Sequence, residues 1–174
     1  MYRQFKNYIL FSILLLPVFI SCKKDSTNNN SSNTISVSID GTVTTFNTEA
    51  KAIRESVTGG YGITIQGYKK DPAASQTNLS FSVVSPDAIT AKTYIENTSG
   101  NPLVAMTYFV DATVLGIATT ASNYGSTTHP VTITITDISS STVKGMFSGE
   151  LSYTDLAGNP AKNLLSNGTF NVNF

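Results

Sequence analysis

The chain has 174 residues and equal numbers of acidic and basic residues, 11 of each, so its formal net charge is zero at neutral pH. That balance argues against binding to nucleic acid, which selects proteins with an excess of positive charge. A single cysteine and a single histidine exclude an intramolecular disulfide and a structural zinc site, because each needs more such residues than the chain contains.

The N-terminal residues have the layout of a secretory signal peptide. Arg3 and Lys6 supply positive charge, and the apolar segment Ile9–Ile20 follows them. This segment is shorter than the roughly 20 residues that a helix needs to cross a bilayer. We therefore interpret residues 1–21 as a signal peptide, with a permanent membrane span as the alternative.

The sequence Phe19-Ile20-Ser21-Cys22 resembles the lipobox of bacterial lipoproteins. There, a small residue precedes a cysteine that is diacylated on sulfur and becomes the mature N-terminus. The resemblance implies lipidation of Cys22 by palmitate-type chains, and two or three chains at ~0.8 kcal/mol per buried methylene would attach the protein permanently to a membrane. The alternative is an ordinary thiol within a leader.

Residues 22–34 comprise the lipidated cysteine and a polar tract rich in Ser, Thr and Asn, which we interpret as a flexible tether. Its root-mean-square reach is roughly 20 Å. Removal of the signal peptide takes away Arg3 and Lys6 and leaves 9 basic and 11 acidic residues, a net charge of −2. This charge does not favour electrostatic binding to anionic lipid.

Two short motifs follow the cysteine. Lys24-Asp25 resembles the charged residues after the lipid cysteine in lipoproteins of the Bacteroidetes type, which implies export to the cell surface. Asp25-Ser26-Thr27 resembles the tripeptide to which Bacteroidetes attach O-glycans, and plain linker is the alternative.

Residues 35–174 are predicted to form a single β-domain. Short runs of alternating apolar and polar residues recur along it, separated by Gly, Pro, Asn and Asp. We predict an all-β fold, an antiparallel β-sandwich of about 8–10 strands, with an up-and-down or meander β-barrel as the alternative. At most one short helix is expected, over Thr48–Glu55. A further strand is predicted over Ala112–Ala118.

Three local patterns are the most specific. Asp40-Gly41 between alternating segments predicts a hairpin turn, because both residues tolerate positive φ. Tyr61, Ile63 and Ile65 are predicted to share one face of a strand. Gly145 and Gly149, which flank Phe147 on one strand face, predict close packing against a neighbouring backbone or ring.

A family resemblance extends over nearly the whole domain. It rests on Ile39-Asp40-Gly41, on the strand Val143–Leu151 and on the segment Ser166–Val172. Together these resemble small Bacteroidetes lipoproteins with an all-β domain of unknown function. The resemblance implies an outer-membrane lipoprotein and supplies no catalytic residues.

No catalytic, cofactor-binding or metal-binding residue is predicted, and we expect no enzymatic activity. His129 precedes a proline in a Ser/Thr-rich loop and is expected to be exposed rather than part of a Ser-His-Asp triad. The acids Asp40, Asp71, Asp87, Asp137 and Asp155 adjoin turns, where aspartate stabilises the backbone, and an irregular cation site within Asp155–Asn159 is a weaker alternative. Tyr124 is the best candidate for an exposed, sugar-stacking ring.

We therefore expect a non-enzymatic, lipid-anchored binding or interaction module of the cell envelope. Its expected location is the outer membrane, facing the periplasm or exposed at the surface, with the membrane contacted through Cys22 and with a protein or glycan partner. The first alternative is a carrier with a small apolar ligand in a barrel interior. The second is a hydrolase built on His129 or on paired carboxylates.

Overall fold

The computed structural model describes residues 33–70, 76–97, 99–110, 120–122, 128–155 and 157–174. Within these ranges the chain forms eleven β-strands and no helix, so none of the described residues lies in a helix that could span a membrane. The strands are β1 (Thr34–Ile39), β2 (Thr42–Phe46), β3 (Thr48–Val57), β4 (Gly60–Lys70), β5 (Gln76–Ser85), β6 (Thr93–Ile95), β7 (Leu103–Phe109), β8 (Thr120–Ser122), β9 (Thr132–Ile138), β10 (Thr142–Thr154) and β11 (Pro160–Asn173).

Every strand pair among the described residues is antiparallel, and the strands form two sheets that pack as a β-sandwich. One sheet has the order β2-β1-β11-β10-β9-β6, and the other has the order β3-β4-β5-β7. The short strand β8 pairs with both β7 and β10 and so connects the two sheets. The described strands do not close into a barrel. The predicted sandwich is confirmed, with eleven strands rather than eight to ten.

The β1–β2 hairpin turns at the predicted dipeptide. Asp40 and Gly41 have φ values of 48° and 84°, and two positive φ values in succession are the signature of a type I′ turn. The Asp40 carboxylate accepts hydrogen bonds from the Leu164 backbone N–H at 2.8 Å and from the Asn163 side-chain amide at 2.7 Å. The turn therefore also fastens the first hairpin to β11.

The space between the sheets is filled by aromatic rings. Phe81 of β5 stacks on Phe147 of β10 with ring centroids 4.5 Å apart, and Phe170 of β11 lies 5.3 Å from Phe81. All three rings are buried, and aliphatic side chains from both sheets surround them. The rings thus join the two sheets into a single packed core.

Gly145 allows this packing, as its sequence context predicts. A Cβ atom at this position would overlap the Thr134 backbone oxygen and would lie 2.5 Å from Cζ of Phe170. Only a residue without a side chain therefore lets β9 and the Phe170 ring approach β10 so closely.

The predicted helix over Thr48–Glu55 is wrong, because this segment belongs to strand β3. Ala50 and Ala52 are buried, whereas Lys51 and Ile53 are exposed, so burial follows a period of two rather than the helical period. The Ala, Glu, Lys and Arg composition favours a helix in isolation. Pairing with β4 along nearly the whole strand overrides that preference.

Candidate binding groove

A groove of about 280 Å³ opens at one end of the sandwich. Strands β3 and β4 form one wall, and the segment after β5 and the end of β9 form the other. We call it the Tyr61 groove. The lining residues that matter for its chemistry are Arg54, Glu55, Ser56, Tyr61, Ile63, Ile89 and Ile138.

The register of β3 and β4 places the polar side chains of the first wall. Arg54 lies opposite Ile63, and Ser56 lies opposite Tyr61, so all four share one face of the sheet. Ile63 is buried in the core. Tyr61 lies two residues closer to the strand end, beyond the core, and 54% of its surface is exposed. The same strand face therefore lines the core at Ile63 and the mouth of the groove at Tyr61.

Arg54 is held in place by two contacts from distant parts of the chain. Its Nη2 group donates a hydrogen bond to the Ser139 backbone oxygen, and its Cζ atom lies 3.9 Å above the centroid of the Phe174 ring. Both ion pairs formed among the described residues involve Glu150, and neither involves Arg54. The guanidinium group is thus positioned by a carbonyl and a ring rather than by a carboxylate.

A buried tyrosine fixes the opposite wall. The Tyr94 hydroxyl accepts a hydrogen bond from the Thr90 backbone N–H at 2.8 Å and donates one to the Thr90 oxygen at 3.1 Å. Tyr94 is itself buried in the core. The neighbouring residue Ile89 packs against that core and faces the groove. The segment around Ile89 and Thr90 lacks strand hydrogen bonds. The Tyr94 hydroxyl therefore fixes its backbone, as pairing in a sheet would otherwise do.

The groove combines an aliphatic floor with a few polar groups. Ile63, Ile89 and Ile138 supply the apolar surface, whereas the polar and charged lining residues are Arg54, Glu55, Ser56 and Tyr61. Small-molecule sites commonly have this composition, because apolar contact supplies affinity and a few polar groups set orientation. The arrangement is suited to holding a small amphipathic molecule.

His129 lies elsewhere and is exposed, as expected. Its side chain has 53% of its surface exposed, and Nδ1 lies 3.7 Å from Oε2 of Glu150. The other oxygen of Glu150 accepts a hydrogen bond from Nζ of Lys162 at 2.6 Å. The structure therefore brings His129 into a charged surface cluster. Nowhere in the described part of the chain do three His, Cys, Asp or Glu side chains come together as a metal site.

Asp155 has the turn-stabilising role that the sequence predicts. Its Oδ1 atom accepts hydrogen bonds from the backbone N–H groups of Ala157 at 2.9 Å and Asn159 at 2.8 Å. The hydrogen bonds from Asn159, and more weakly those from Ala157 and Gly158, hold the pKa of Asp155 below its usual value of 3.8. The carboxylate that the alternative cation site would need is thus bound to its own loop.

A second, more open concavity of about 350 Å³ lies on the outer face of β9, β10 and β11. Thr134, Met146 and Thr169 lie side by side across it, and Thr93 of β6 extends the row with an Oγ1–Oγ1 distance of 3.0 Å to Thr134. This surface is broad and shallow, without a group of polar side chains directed at one point. It is a less specific site than the Tyr61 groove.

Arg54, Tyr61, Ile89 and Ile138 are not predicted as a site by the sequence. The one signal in the sequence that points to this site is the position of Tyr61, which lies next to a turn at the start of an alternating strand. Cys22, Asp25-Ser26-Thr27, Ala112–Ala118 and Tyr124 lie outside the described residues. Comparison with protein-family models, curated proteins and solved structures found no match.

Proposed function

We propose that the chain is a lipid-anchored binding protein of the bacterial cell envelope, attached through Cys22 and without catalytic activity. The leader sequence and the cysteine that follows it support the anchor. The outer membrane is the proposed location, with the domain facing the periplasm or exposed at the surface. The resemblance to small Bacteroidetes lipoproteins supports the same assignment.

The Tyr61 groove is the observation that supports binding. It has a preformed shape, because Arg54 is held by Ser139 and Phe174 on one side, and the Tyr94 hydroxyl holds the Ile89 segment on the other. A site whose walls are already fixed binds a ligand without the cost of ordering them. We assign the ligand to this groove.

The groove is favoured over an internal carrier cavity by the packing of the core. Phe81, Phe147 and Phe170 occupy the space between the sheets in which a carried molecule would lie. Catalysis is not part of the proposal, because the described lining residues include one carboxylate, Glu55, rather than the pair that a glycosidase uses. The Asp155 carboxylate lies in another turn, where it accepts hydrogen bonds from backbone N–H groups.

The anchor is tested by expressing the full chain as wild type and as Cys22→Ala in a bacterium that processes lipoproteins. We expect the wild type to be larger than the mature polypeptide by the mass of its acyl chains and to fractionate with the outer membrane. The Cys22→Ala variant should lack this added mass and leave the outer-membrane fraction. Equal masses and equal fractionation would overturn the proposal of a lipid anchor.

The binding site is tested by NMR on the mature, unacylated chain, which begins at residue 22 and carries Cys22→Ala. A library of small amphipathic fragments should shift backbone resonances of Tyr61, Ile63 and Ile89. Tyr61→Ala should weaken the binding of these fragments. Met146→Ala, on the outer face of β10, should leave their affinity unchanged. Shifts confined to surfaces other than the groove would contradict the assignment.

A further inference from the structure

The polar chemistry of the Tyr61 groove is dominated by the guanidinium group of Arg54. A guanidinium has five N–H donors in a plane, and one nitrogen of Arg54 donates to Ser139. The Cζ atom of the group also lies over the Phe174 ring. The remaining N–H groups can donate a pair of parallel hydrogen bonds to one carboxylate.

The two other contacts of Arg54 prepare it for such a ligand. An unrestrained arginine loses considerable rotamer freedom when it binds. The Ser139 oxygen and the Phe174 ring already restrict this side chain in the free protein. Neither contact neutralises its charge. A carboxylate would therefore meet a positioned cation that forms no ion pair with any described residue.

Two acids, Glu55 and Asp137, lie on the strands beside the groove. Glu55 follows Arg54 but points to the opposite face of β3, where its Oε1 atom accepts a hydrogen bond from Oγ1 of Thr64 at 3.0 Å. Asp137 precedes Ile138 but pairs with Lys144 on the outer side of its sheet. Glu55 is nevertheless one of the residues that line the groove, whereas Asp137 does not line it. Alternation along β3 directs the Glu55 side chain away from the face that carries Arg54.

The rest of the groove selects the body of the ligand. Ile63, Ile89 and Ile138 form a floor that stabilises aliphatic or flat aromatic groups by removing them from water. The exposed ring of Tyr61 extends this surface at the mouth. A volume of about 280 Å³ is at the lower limit of small-molecule sites, which measure about 300–1,000 Å³. The ligand must therefore be compact.

We propose that the Tyr61 groove binds a small carboxylic acid with an apolar body, whose carboxylate is held by Arg54 and whose body lies on the isoleucine floor. This inference rests on the proposed function, since it names the ligand class of the same site. The carboxylate would accept two hydrogen bonds from one guanidinium, and the body would be buried between the two fixed walls. Binding involves no covalent step.

The experiment compares acids with uncharged molecules of the same shape. Hexanoate and benzoate are titrated into the mature Cys22→Ala chain at pH 7, beside hexanamide and benzamide, and dissociation constants are measured by NMR. The acids should shift the Arg54 side-chain Nε–H resonance and the backbone resonances of Tyr61 and Ile89. They should bind about 10-fold more tightly than the amides, because only a carboxylate brings a negative charge and two equivalent acceptor oxygens to the guanidinium.

Variants identify the residue that holds the carboxylate. Arg54→Gln should remove the preference for acids, and Arg54→Lys should retain part of it, because lysine keeps the charge without the paired donors. Lys51→Gln is the matched control, since it removes a positive charge from the outer face of the same strand. If Arg54→Gln does not fold, the comparison of acids and amides with Arg54 in place still tests whether the groove prefers carboxylates.

The possible results separate the two proposals. Equal binding of acids and amides in the groove would overturn the carboxylate inference and leave the binding function intact. A preference for acids that Arg54→Gln does not alter would also overturn the inference. If neither these compounds nor the fragment library perturbs the groove, both proposals fail.

Discussion

The guanidinium carbon of Arg54 lies 3.9 Å from the centroid of the Phe174 ring and so joins β3 to the residue that follows β11. Arg54 belongs to one sheet, and β11, which Phe174 follows, belongs to the other. Arg54 also lines the Tyr61 groove, so the contact that holds its side chain helps to set the shape of the proposed site.

The Arg54–Phe174 contact should be measurable as a coupling energy. In a double-mutant cycle with Arg54→Met and Phe174→Leu, we expect a coupling of about 0.5–1 kcal/mol, the value for cation–π pairs at exposed positions. Both substitutions retain apolar contact, so the coupling reports the cation–ring attraction. Urea unfolding of the four proteins supplies the free energies. Additive effects would show that the contact contributes no attraction.

Gly145→Ala should destabilise the domain by about 3 kcal/mol. The added methyl group would collide with the Thr134 backbone oxygen and the Phe170 ring, and β10 cannot move without losing its pairing with β9. Met146→Ala is the control, because the adjacent side chain is exposed on the other face of the strand. Its unfolding midpoint should change little. Equal midpoints for the two variants would contradict the close approach of β9 and β10.

Glu96→Ala should cost about 1–3 kcal/mol of stability. Only 6% of Glu96 is exposed, and its Oε2 atom accepts a hydrogen bond from the backbone N–H of Val131 at 3.1 Å. Truncation would leave that buried donor without an acceptor. Glu96→Gln keeps an acceptor at the same distance and should preserve most of the stability. Thermal unfolding of both variants provides the test, and an equal loss would argue against the hydrogen bond as the cause.

Asp155 should make stability depend on pH in the acidic range. Its hydrogen bonds hold its pKa in the folded protein below the usual 3.8, so the unfolded chain takes up the proton at higher pH than the folded chain. The resulting stabilisation is complete above the unfolded value and is lost as pH falls through the folded value. In Asp155→Asn, which does not titrate, the fall in stability between about pH 5 and pH 2 should be smaller. Urea unfolding across this range measures the difference, and identical pH profiles would refute the assignment.

Predictions from the sequence were correct where the structure depends on residues that are close together in the chain. The Asp40-Gly41 turn requires positive φ at two successive positions, and these two residue types meet that requirement wherever the strands lie. The alternation of Val143, Gly145 and Phe147 likewise reports the buried face of β10 directly. Such local signals predict the all-β class, whereas they leave both a sandwich and a barrel open.

Features that depend on tertiary pairing could not be predicted in the same way. Residues Thr48–Glu55 have a helix-favouring composition, and only their pairing with β4 makes them a strand. Arg54 is fixed by Ser139 and Phe174, which are remote from it along the chain. The Tyr61 groove combines three such remote segments, so no single stretch of sequence contains its pattern.

The pairing of β1 with β11 has a consequence for the order of folding. β11 lies between β1 and β10, so the first hairpin has no place in its sheet until residues 160–173 are available. Contacts between such remote segments slow folding, because a long loop must close before the contacts form. During synthesis the first hairpin therefore stays unpaired with its sheet until residues 160–173 have emerged.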